Sequence, residues 1–439
     1  MIGLARQAIR LVRNDPSRTL FREWERLQWR SAQELAELQL RQVRDICRHA
    51  CATTSYYRDV FASLDITPDD VRSLSDFSRL PVLTKGIIRE RLPDLLSSAI
   101  PEFDRLENHS GGSTGSPLRF FQDRQVYHSM NATMRLGMTF AGWKPSDMVV
   151  NIWGNPRDMG MRPARVTLKN YLAGSITLNA YRYGAEEMDN WLRIIRGFRS
   201  VLIYGYVSAL VDVAVHVRAT GVRISNVRAV MTSAEKLHEH QRENLEQAFG
   251  CKVYDQYGSR EVPGVASECA SGGMHLMTHS AYVEFVPDPD TGLNRLVITC
   301  LTNRTMPFLR YEIGDYATPL PGICSCGRGF PLVRMDIGRM VDCLVAPSGK
   351  RMYGTFFVRQ MYGLNGVEAF QFRQREASHI DLFLMRGPGF SDAERQRLAS
   401  IANNLELDLP GVVVSVHYVS EIPKTQGGKH RHVVCEVDS

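Results

Sequence analysis

A chain of 439 residues that is 44% hydrophobic has the apolar content for two or three packed domains, which excludes a disordered polypeptide. Its 53 Lys and Arg against 47 Asp and Glu leave a formal charge of +6, scattered rather than gathered in a run, so the charge gives no support for nucleic-acid binding. No stretch approaches the roughly 20 apolar residues of a membrane span. The nine cysteines, odd in number and unevenly spread, do not form a disulfide framework, and the cytoplasm is the expected location.

The first residues, MIGLARQAIRLVRN, are too interrupted for a signal peptide. Their basic amphipathic pattern predicts a packed first helix, with a membrane surface as the alternative. From Leu20 to about Phe61 charged and apolar residues alternate at helical spacing with no Gly or Pro, so helices open the chain. "CRHAC" puts Cys47 and Cys51 on one helix face and His49 on another, a packing pattern rather than a metal site.

SGGSTGSP, Ser110 to Pro117, combines three glycines with four hydroxyl side chains. Such a loop lets backbone N–H groups converge on a phosphate without interference from Cβ atoms. It is no Walker A motif, because Ser116 and Pro117 follow Gly115 where lysine and a hydroxyl are required. Taken alone it reads equally as a flexible connection.

From Val149 to Leu301, runs such as SVLIYGY, VRAVMTSA, CKVYDQYG and RLVITCLTN alternate with amphipathic stretches such as HEHQRENLEQAFG. The alternation predicts βαβ units and a largely parallel sheet with ligands beyond the carboxyl ends of its strands. YDQYGSREV, Tyr254 to Val262, ends one of those strands. There Tyr257 suits stacking on a flat base and Glu261 a hard cation, while a plain strand-ending turn is the alternative. NRTMPFLRYEIGDYA places Asp315 in a Gly-Asp turn, able either to accept two hydrogen bonds from a ribose diol or to close a hairpin.

After about Arg339 the pattern becomes two strands, a helix opened by SDAE as a Ser391–Glu394 capping box, and a further strand, a compact β-β-α-β module. IPKTQGGKHRHVV, near the C-terminus, reads either as a solvated tail or as the carrier of a mobile lysine. Cys269 and His275 in ECASGGMH, with Cys324 and Cys326 in CSCG, read as a closed tetrahedral donor set for structural zinc, with four reduced residues in neighbouring turns as the alternative. His279 competes with His275 for the fourth place. Trp153, Tyr204 and Tyr206 are candidates either for the wall of an acid pocket or for ordinary core.

In order and spacing, SGGSTGSP, YGSRE, RYEIGD, GRMVD and IPKTQGGKHR resemble the successive motifs of the adenylate-forming ligases, which include acyl-CoA synthetases. The helical opening and SAEKL resemble the phenylacetate-CoA ligase branch, most nearly its members associated with capsular polysaccharide genes. The similarity spans about Leu35 to Val434. It implies a large N-terminal multi-layer α/β domain over 1–338, with the helical opening at 1–61 and the metal set at 269–326, and a small mobile α+β lid over 339–439.

The resemblance also implies an activity: a carboxylic acid attacks ATP, pyrophosphate leaves, and a thiol, that of coenzyme A or of a phosphopantetheine carrier protein, captures the acyl-adenylate. Ser113, Thr114 and Gly115 would hold phosphates, Tyr257 would stack on adenine, and Glu261 would bind Mg²⁺. Asp315 and Arg339 would hold the ribose, Asp342 would act as hinge, and Lys429 would bridge the acid and the α-phosphate. Arg260 stands where many relatives carry Thr, and Ser116 where many carry Lys. Acyl or adenylyl transfer without a thioester, and a non-catalytic nucleotide-binding subunit, are the competing readings; a homodimer is compatible with all of them.

Overall fold

The computed structural model describes residues 15–110, 118–154, 166–180, 183–289, 292–337, 343–347, 351–353, 357, 360–361, 364–423 and 431–437. The chain divides into one compact unit of Met1–Ile313 with Ala317–Arg334 and a second of Gly314–Tyr316 with Met335–Ser439.

Helices Pro16–Leu27, Ala32–Thr53 and Ser55–Ser63 open the described chain, as the helical spacing predicts. The first has Pro16 in its opening turn, where a missing N–H costs nothing, and Asp15 as cap. The second starts at a capping box: Ser31 Oγ accepts from Glu34 N and Glu34 Oε2 from Ser31 N. Leu35, Gln39, Val43, Ile46 and Ala50 recur at i+3 and i+4 and are buried.

Strands β1 (Leu106–His109) and β2 (Arg119–Gln122) form an antiparallel hairpin in which His109 faces Arg119. Ser110 N donates to the Leu118 carbonyl at 2.9 Å, and Leu118 N to Ser110 Oγ at 2.8 Å. The Gly-rich stretch is thus the connection of a hairpin whose base is stitched in both directions. Residues 111–117 themselves lie outside the described set.

The main sheet has eleven strands: β3 (Met148–Trp153), β4 (Ser175–Asn179), β5 (Val201–Tyr206), β6 (Val227–Ser233), β7 (Val253–Tyr257), β8 (Ala266–Glu268), β9 (Met274–Leu276), β10 (Ala281–Pro287), β11 (Asn294–Cys300), β12 (Tyr311–Leu320) and β13 (Leu332–Ile337). Their order is β10-β11-β12-β13-β9-β8-β7-β6-β5-β3-β4. Neighbours from β4 through β3, β5 and β6 to β7 are parallel. Helices Ala185–Arg196, Val207–Thr220 and Glu239–Phe249 provide crossovers, packing Leu192, Leu210 and Leu245 onto Val150, Ile203 and Val230.

The expectation of a largely parallel sheet fails beyond β7. There the pairs β7–β8, β8–β9, β9–β13 and β10–β11 are antiparallel, and RLVITC lies in a hairpin rather than a βαβ unit. The short segments joining β7 to β8, β8 to β9 and β10 to β11 have no room for the crossover that a parallel return needs.

In the second unit β14 (Cys343–Val345) pairs with β15 (Arg351–Tyr353). A four-stranded sheet of β16 (Val367–Glu376), β17 (His379–Arg386), β18 (Val413–Tyr418) and β19 (Val433–Cys435) has the order β18-β17-β16-β19. Helix Asp392–Asp408 joins β17 to its parallel neighbour β18 and packs Leu398 and Leu405 into a core with Phe372, Leu382 and Leu384. The expected strand-strand-helix-strand order is present, with β19 added. Only half of the expected capping box forms: Ser391 Oγ accepts from Glu394 N, whereas the Glu394 carboxylate is taken by Arg397 and Asn365.

Candidate active site and metal cluster

The parallel strands deliver Trp153, Tyr206, Ser233 and Tyr257 to one sheet edge, since each ends β3, β5, β6 or β7. Tyr257 begins a tight loop. Val265 N donates to the Tyr257 carbonyl at 2.9 Å, and a Cβ at Gly258 would lie 2.7 Å from Gly264 N. Only glycine allows the two arms of this loop to approach so closely. Glu261 is 1% exposed, and Tyr311 OH donates to its Oε1 at 3.3 Å. A carboxylate this dry is held in a setting that favours a cation at its side.

The hairpin and this loop are tied together. Gln122 Nε2, at the end of β2, donates to the Arg260 carbonyl at 2.8 Å, and Asn108 Nδ2 on β1 donates to Gln122 Oε1 at 3.0 Å. Asn303 Nδ2 donates to the Phe121 carbonyl at 3.0 Å, fixing the same strand to the segment that enters β12. YGSRE and NRTMPF are therefore both tied to β2, the strand that follows the Gly-rich stretch.

Asp315 is 7% exposed and lies within β12, not in a turn as the sequence predicts. Gly314 has φ of +92°, so the Gly-Asp signal marks an irregularity inside a ten-residue strand. Ser113, Thr114, Gly115, Arg339, Asp342 and Lys429 lie outside the described residues.

Asp255, not singled out from the sequence, also belongs to this edge. Its Oδ1 accepts from Thr232 Oγ1 at 2.8 Å and from Gln256 N at 3.0 Å. Burial pushes its pKa up to about 7, against the lowering effect of the Thr232 bond. Trp153 stacks on Tyr204 at 5.3 Å and tilts onto Tyr206 at 4.1 Å. Tyr204 packs into the core with Met231 and Tyr254 and Tyr206 into the core with Ile203 and Leu210, and Trp153 packs against both.

The second centre is built by the antiparallel half of the sheet. Cys269 follows β8, His275 lies on β9, and Leu332 of β13 faces His275, bringing in the preceding segment with Cys324 and Cys326. The donor atoms of Cys269, His275, Cys324 and Cys326 all lie within 4.8 Å of one another, the one such group among the described residues. Cys269 and Cys324 sulfurs are 3.6 Å apart, and Cys326 Sγ is 3.3 Å from His275 Nε2. His275 Nδ1 is 3.0 Å from the Phe330 carbonyl, which leaves Nε2, on the side of Cys326 Sγ, as the nitrogen that could ligate a metal.

Both cysteine turns repeat one device. Gly272 N donates to the Cys269 carbonyl at 2.9 Å and Gly327 N to the Cys324 carbonyl at 3.0 Å, and both glycines have φ of +81°. The signal was present in the sequence as a glycine three residues after each cysteine. A Cβ at Gly273 would sit 2.9 Å from Cys324 Sγ, so the cradle depends on its absence.

Burial holds the His275 imidazole below its usual pKa, favouring the neutral ring. Burial pushes Cys269 up to about 11; for Cys326, burial raises the value but hydrogen bonds with Arg328, Cys324 and Cys269 together lower it below the usual thiol value. His279 stands apart, 3.3 Å from Thr133 Oγ1 and 4.2 Å from the Trp24 ring, which excludes it from the set. The "CRHAC" residues also pack as expected, with Cys47 fully buried and His49 Nε2 2.7 Å from the Arg304 carbonyl.

No family model matches the chain. The solved structure of 2-hydroxyisobutyryl-CoA ligase in its postadenylation state, in complex with R3-HIB-AMP, superposes with a TM-score of 0.74 at 19% identity, over 93% of this chain and 91% of that one. The anthranilate CoA ligase AuaEII in complex with anthranoyl-AMP gives 0.53 at 15% identity, over 76% and 66%. The fold is that of the adenylate-forming CoA ligases.

Among curated proteins the chain is a relative of the phenylacetate-coenzyme A ligases and of CapK. It is 26% identical to the phenylacetate-coenzyme A ligase of Aromatoleum evansii over 328 residues, 72% of each chain. With the Escherichia coli (strain K12) enzyme it shares 27% over 332 residues, 72% of this chain and 73% of that one. With Protein CapK of Staphylococcus aureus the identity is 22% over 419 residues, 93% of this chain and 91% of that one.

Proposed function

We propose that the protein is an acid–thiol ligase that adenylates a carboxylic acid with ATP, releases pyrophosphate, and passes the acyl group to the thiol of coenzyme A. The observation that carries this reading is the tie between the base of the Gly-rich hairpin and the Tyr257–Glu261 loop through Gln122 and Arg260. It supports the reading by holding β2, which follows the Gly-rich stretch, to the loop of Tyr257 and the buried Glu261, at the edge where a parallel sheet receives ligands. The relatives are named as acid–CoA ligases, in agreement with the chemistry.

In this reading Tyr257 stacks on adenine and Glu261, oriented by Tyr311, holds Mg²⁺, which supplies charge neutralisation for the leaving pyrophosphate. Ser113, Thr114 and Gly115 wrap the phosphates, and Asp315 with Arg339 holds the ribose hydroxyls. Lys429 meets the negative charge that concentrates between acid and α-phosphate. Asp342 absorbs the backbone rotation of a mobile C-terminal domain over 339–439, which turns between the two half-reactions. Zinc at Cys269, His275, Cys324 and Cys326 is structural, with no vacancy for substrate. The cytoplasm, where thiols stay reduced, fits this set.

A pyrophosphate-release screen over aryl, fatty and amino acids, with and without coenzyme A, tests the reading. Acid-dependent release, abolished in Lys429→Ala, and thioester formed only with coenzyme A are the expected results. Thioester formed instead on a phosphopantetheine carrier protein changes the acceptor. Adenylate formed with no thiol dependence at all favours transfer without a thioester, and ATP binding without adenylation of any acid overturns the proposal.

A further inference from the structure

The segment that carries two of the four cluster residues runs straight into the helical opening. Just after Cys324 and Cys326, Gly329 N donates to the Gln28 carbonyl at 2.9 Å and Arg328 Nε donates to Gln28 Oε1 at 2.8 Å. Gln28 is the C-terminal cap of the helix Pro16–Leu27 and is buried. The last carbonyls of a helix have no partner within it, so this segment supplies one from outside, and the Arg328 cation stands where the helix dipole favours positive charge.

The approach depends on a glycine, since a Cβ at Gly329 would overlap the Arg30 carbonyl oxygen. Arg328 also lies over two rings, 5.1 Å from the centroid of Trp29 and 4.1 Å from that of Phe140. It hydrogen-bonds Cys326 through both its main chain and its side chain. Three thiolates and a neutral imidazole around a divalent ion would leave one net negative charge, and Arg328 sets a positive charge beside it. Trp24, near the end of the same helix, shares a core with Cys269 and Phe330, against which Cys324 and Cys326 pack. The next helix, Ala32–Thr53, has fastenings of its own: Gln39 Nε2 donates to the Thr278 and Ala281 carbonyls, and His49 Nε2 is 2.7 Å from the Arg304 carbonyl.

We propose that the Cys/His cluster, when it holds its metal, is a clip for the helical opening: through Arg328 and Gly329 it fixes the end of the first helix, from Trp24, and the turn that leads to Ser31. This rests on the zinc reading of the cluster and is independent of the adenylation chemistry. Metal binding and docking of the turn are then linked, so a change that loosens the turn weakens zinc binding by the same factor, and loss of zinc loosens the turn.

The test uses the full-length protein with Zn²⁺ as the probe. Zinc is removed by chelation under reducing conditions and then restored, with amide hydrogen exchange followed in both states; affinities for Zn²⁺ are read by competition with a chromogenic chelator. On removal, the amides of residues 24–31 are expected to exchange about tenfold faster, while those of Val43 to Ala50 and of β5 and β6 stay within about twofold. Gln28→Ala, which touches no ligand, weakens Zn²⁺ binding about fivefold and speeds exchange at residues 24–31 of the zinc-loaded protein by a similar factor. Gln28→Glu, which keeps an acceptor for Arg328, stays near wild type in both. Arg328→Ala weakens Zn²⁺ binding more than Gln28→Ala does, because the cation goes as well as the bond. Unchanged exchange at residues 24–31 on zinc removal, an equal rise through β5 and β6, or wild-type Zn²⁺ affinity in Gln28→Ala overturns the proposal while leaving the zinc reading standing. Protein that takes up no zinc overturns the zinc reading and the clip with it.

Discussion

Gln122 and Arg260, 138 residues apart in sequence, are joined by a 2.8 Å hydrogen bond from the Gln122 side-chain amide to the Arg260 main-chain carbonyl. The tie runs through the backbone of residue 260, so the loop is held whatever its side chain is, and an arginine where many relatives carry threonine leaves the bond intact.

Gln122→Ala removes the donor to that carbonyl and the acceptor for Asn108, so it is expected to cost about 1–3 kcal/mol in urea unfolding. It also raises KM for ATP, because the phosphate-type hairpin loses its fixed distance from Tyr257. Arg260→Ala, by contrast, keeps the main-chain carbonyl that Gln122 meets.

Glu261→Gln keeps an oxygen for Tyr311 OH and the shape of the side chain but removes the charge. Adenylation is expected to fall by on the order of 10²–10³ at fixed Mg²⁺, by analogy with the loss of one electrostatic contact. Thermal unfolding in the absence of nucleotide should change little. Retained activity with unchanged Mg²⁺ dependence would remove Glu261 from the metal assignment.

The Cys/His cluster predicts about one zinc per chain by elemental analysis of purified protein. Gly273→Ala drives a methyl group to within 2.9 Å of Cys324 Sγ and is expected to lower zinc content and melting temperature together, as does Cys324→Ser. Strong chelation of the wild-type protein reproduces both effects.

Arg310 is a buried cation with φ of +52°. Its Nε lies 3.0 Å from Glu284 Oε2, and its guanidinium also donates to the Ser78 and Leu80 carbonyls, so it fastens the start of β12 to β10 and to the Ser78–Leu80 segment. Arg310→Ala leaves Glu284 buried and unpaired and is expected to cost about 3–5 kcal/mol in denaturant unfolding.

Asp255 predicts a pH signature. Its folded pKa is raised by burial from 3.8 to about 7, so between these values the folded state binds more protons than the unfolded state. Stability from this group is therefore greatest below pH 4 and falls as pH rises towards 7, with a slope of at most about 1.4 kcal/mol per pH unit. Buried His238 and His279, lowered by burial to about 4 and about 3, work the opposite way below pH 6.5. Comparing wild type with Asp255→Asn across pH 4–7 isolates the aspartate, and parallel curves would count against its raised pKa.

Local chemistry made much of the protein readable from its residues. The cap at Ser391, the apolar periods of the helices and the β-branched runs of β5 and β6 are short-range signals, each decided within a few residues. The Cys/His cluster was readable because cysteines and histidine at those spacings are few and chemically distinctive.

Sequence alone therefore determined the helical opening, the alternating strands and helices, the small C-terminal module, and the three cysteines and one histidine that gather in the cluster. Only the tertiary structure decided that half of the main sheet is antiparallel, that Asp315 sits within a strand, and that His279 stacks on Trp24 instead of joining the cluster. It alone shows that Glu235 caps a helix from a different strand. These depend on which distant segments meet, and partners 27 to 255 residues apart, such as Ser208 with Glu235 and Trp24 with His279, leave no mark in local spacing.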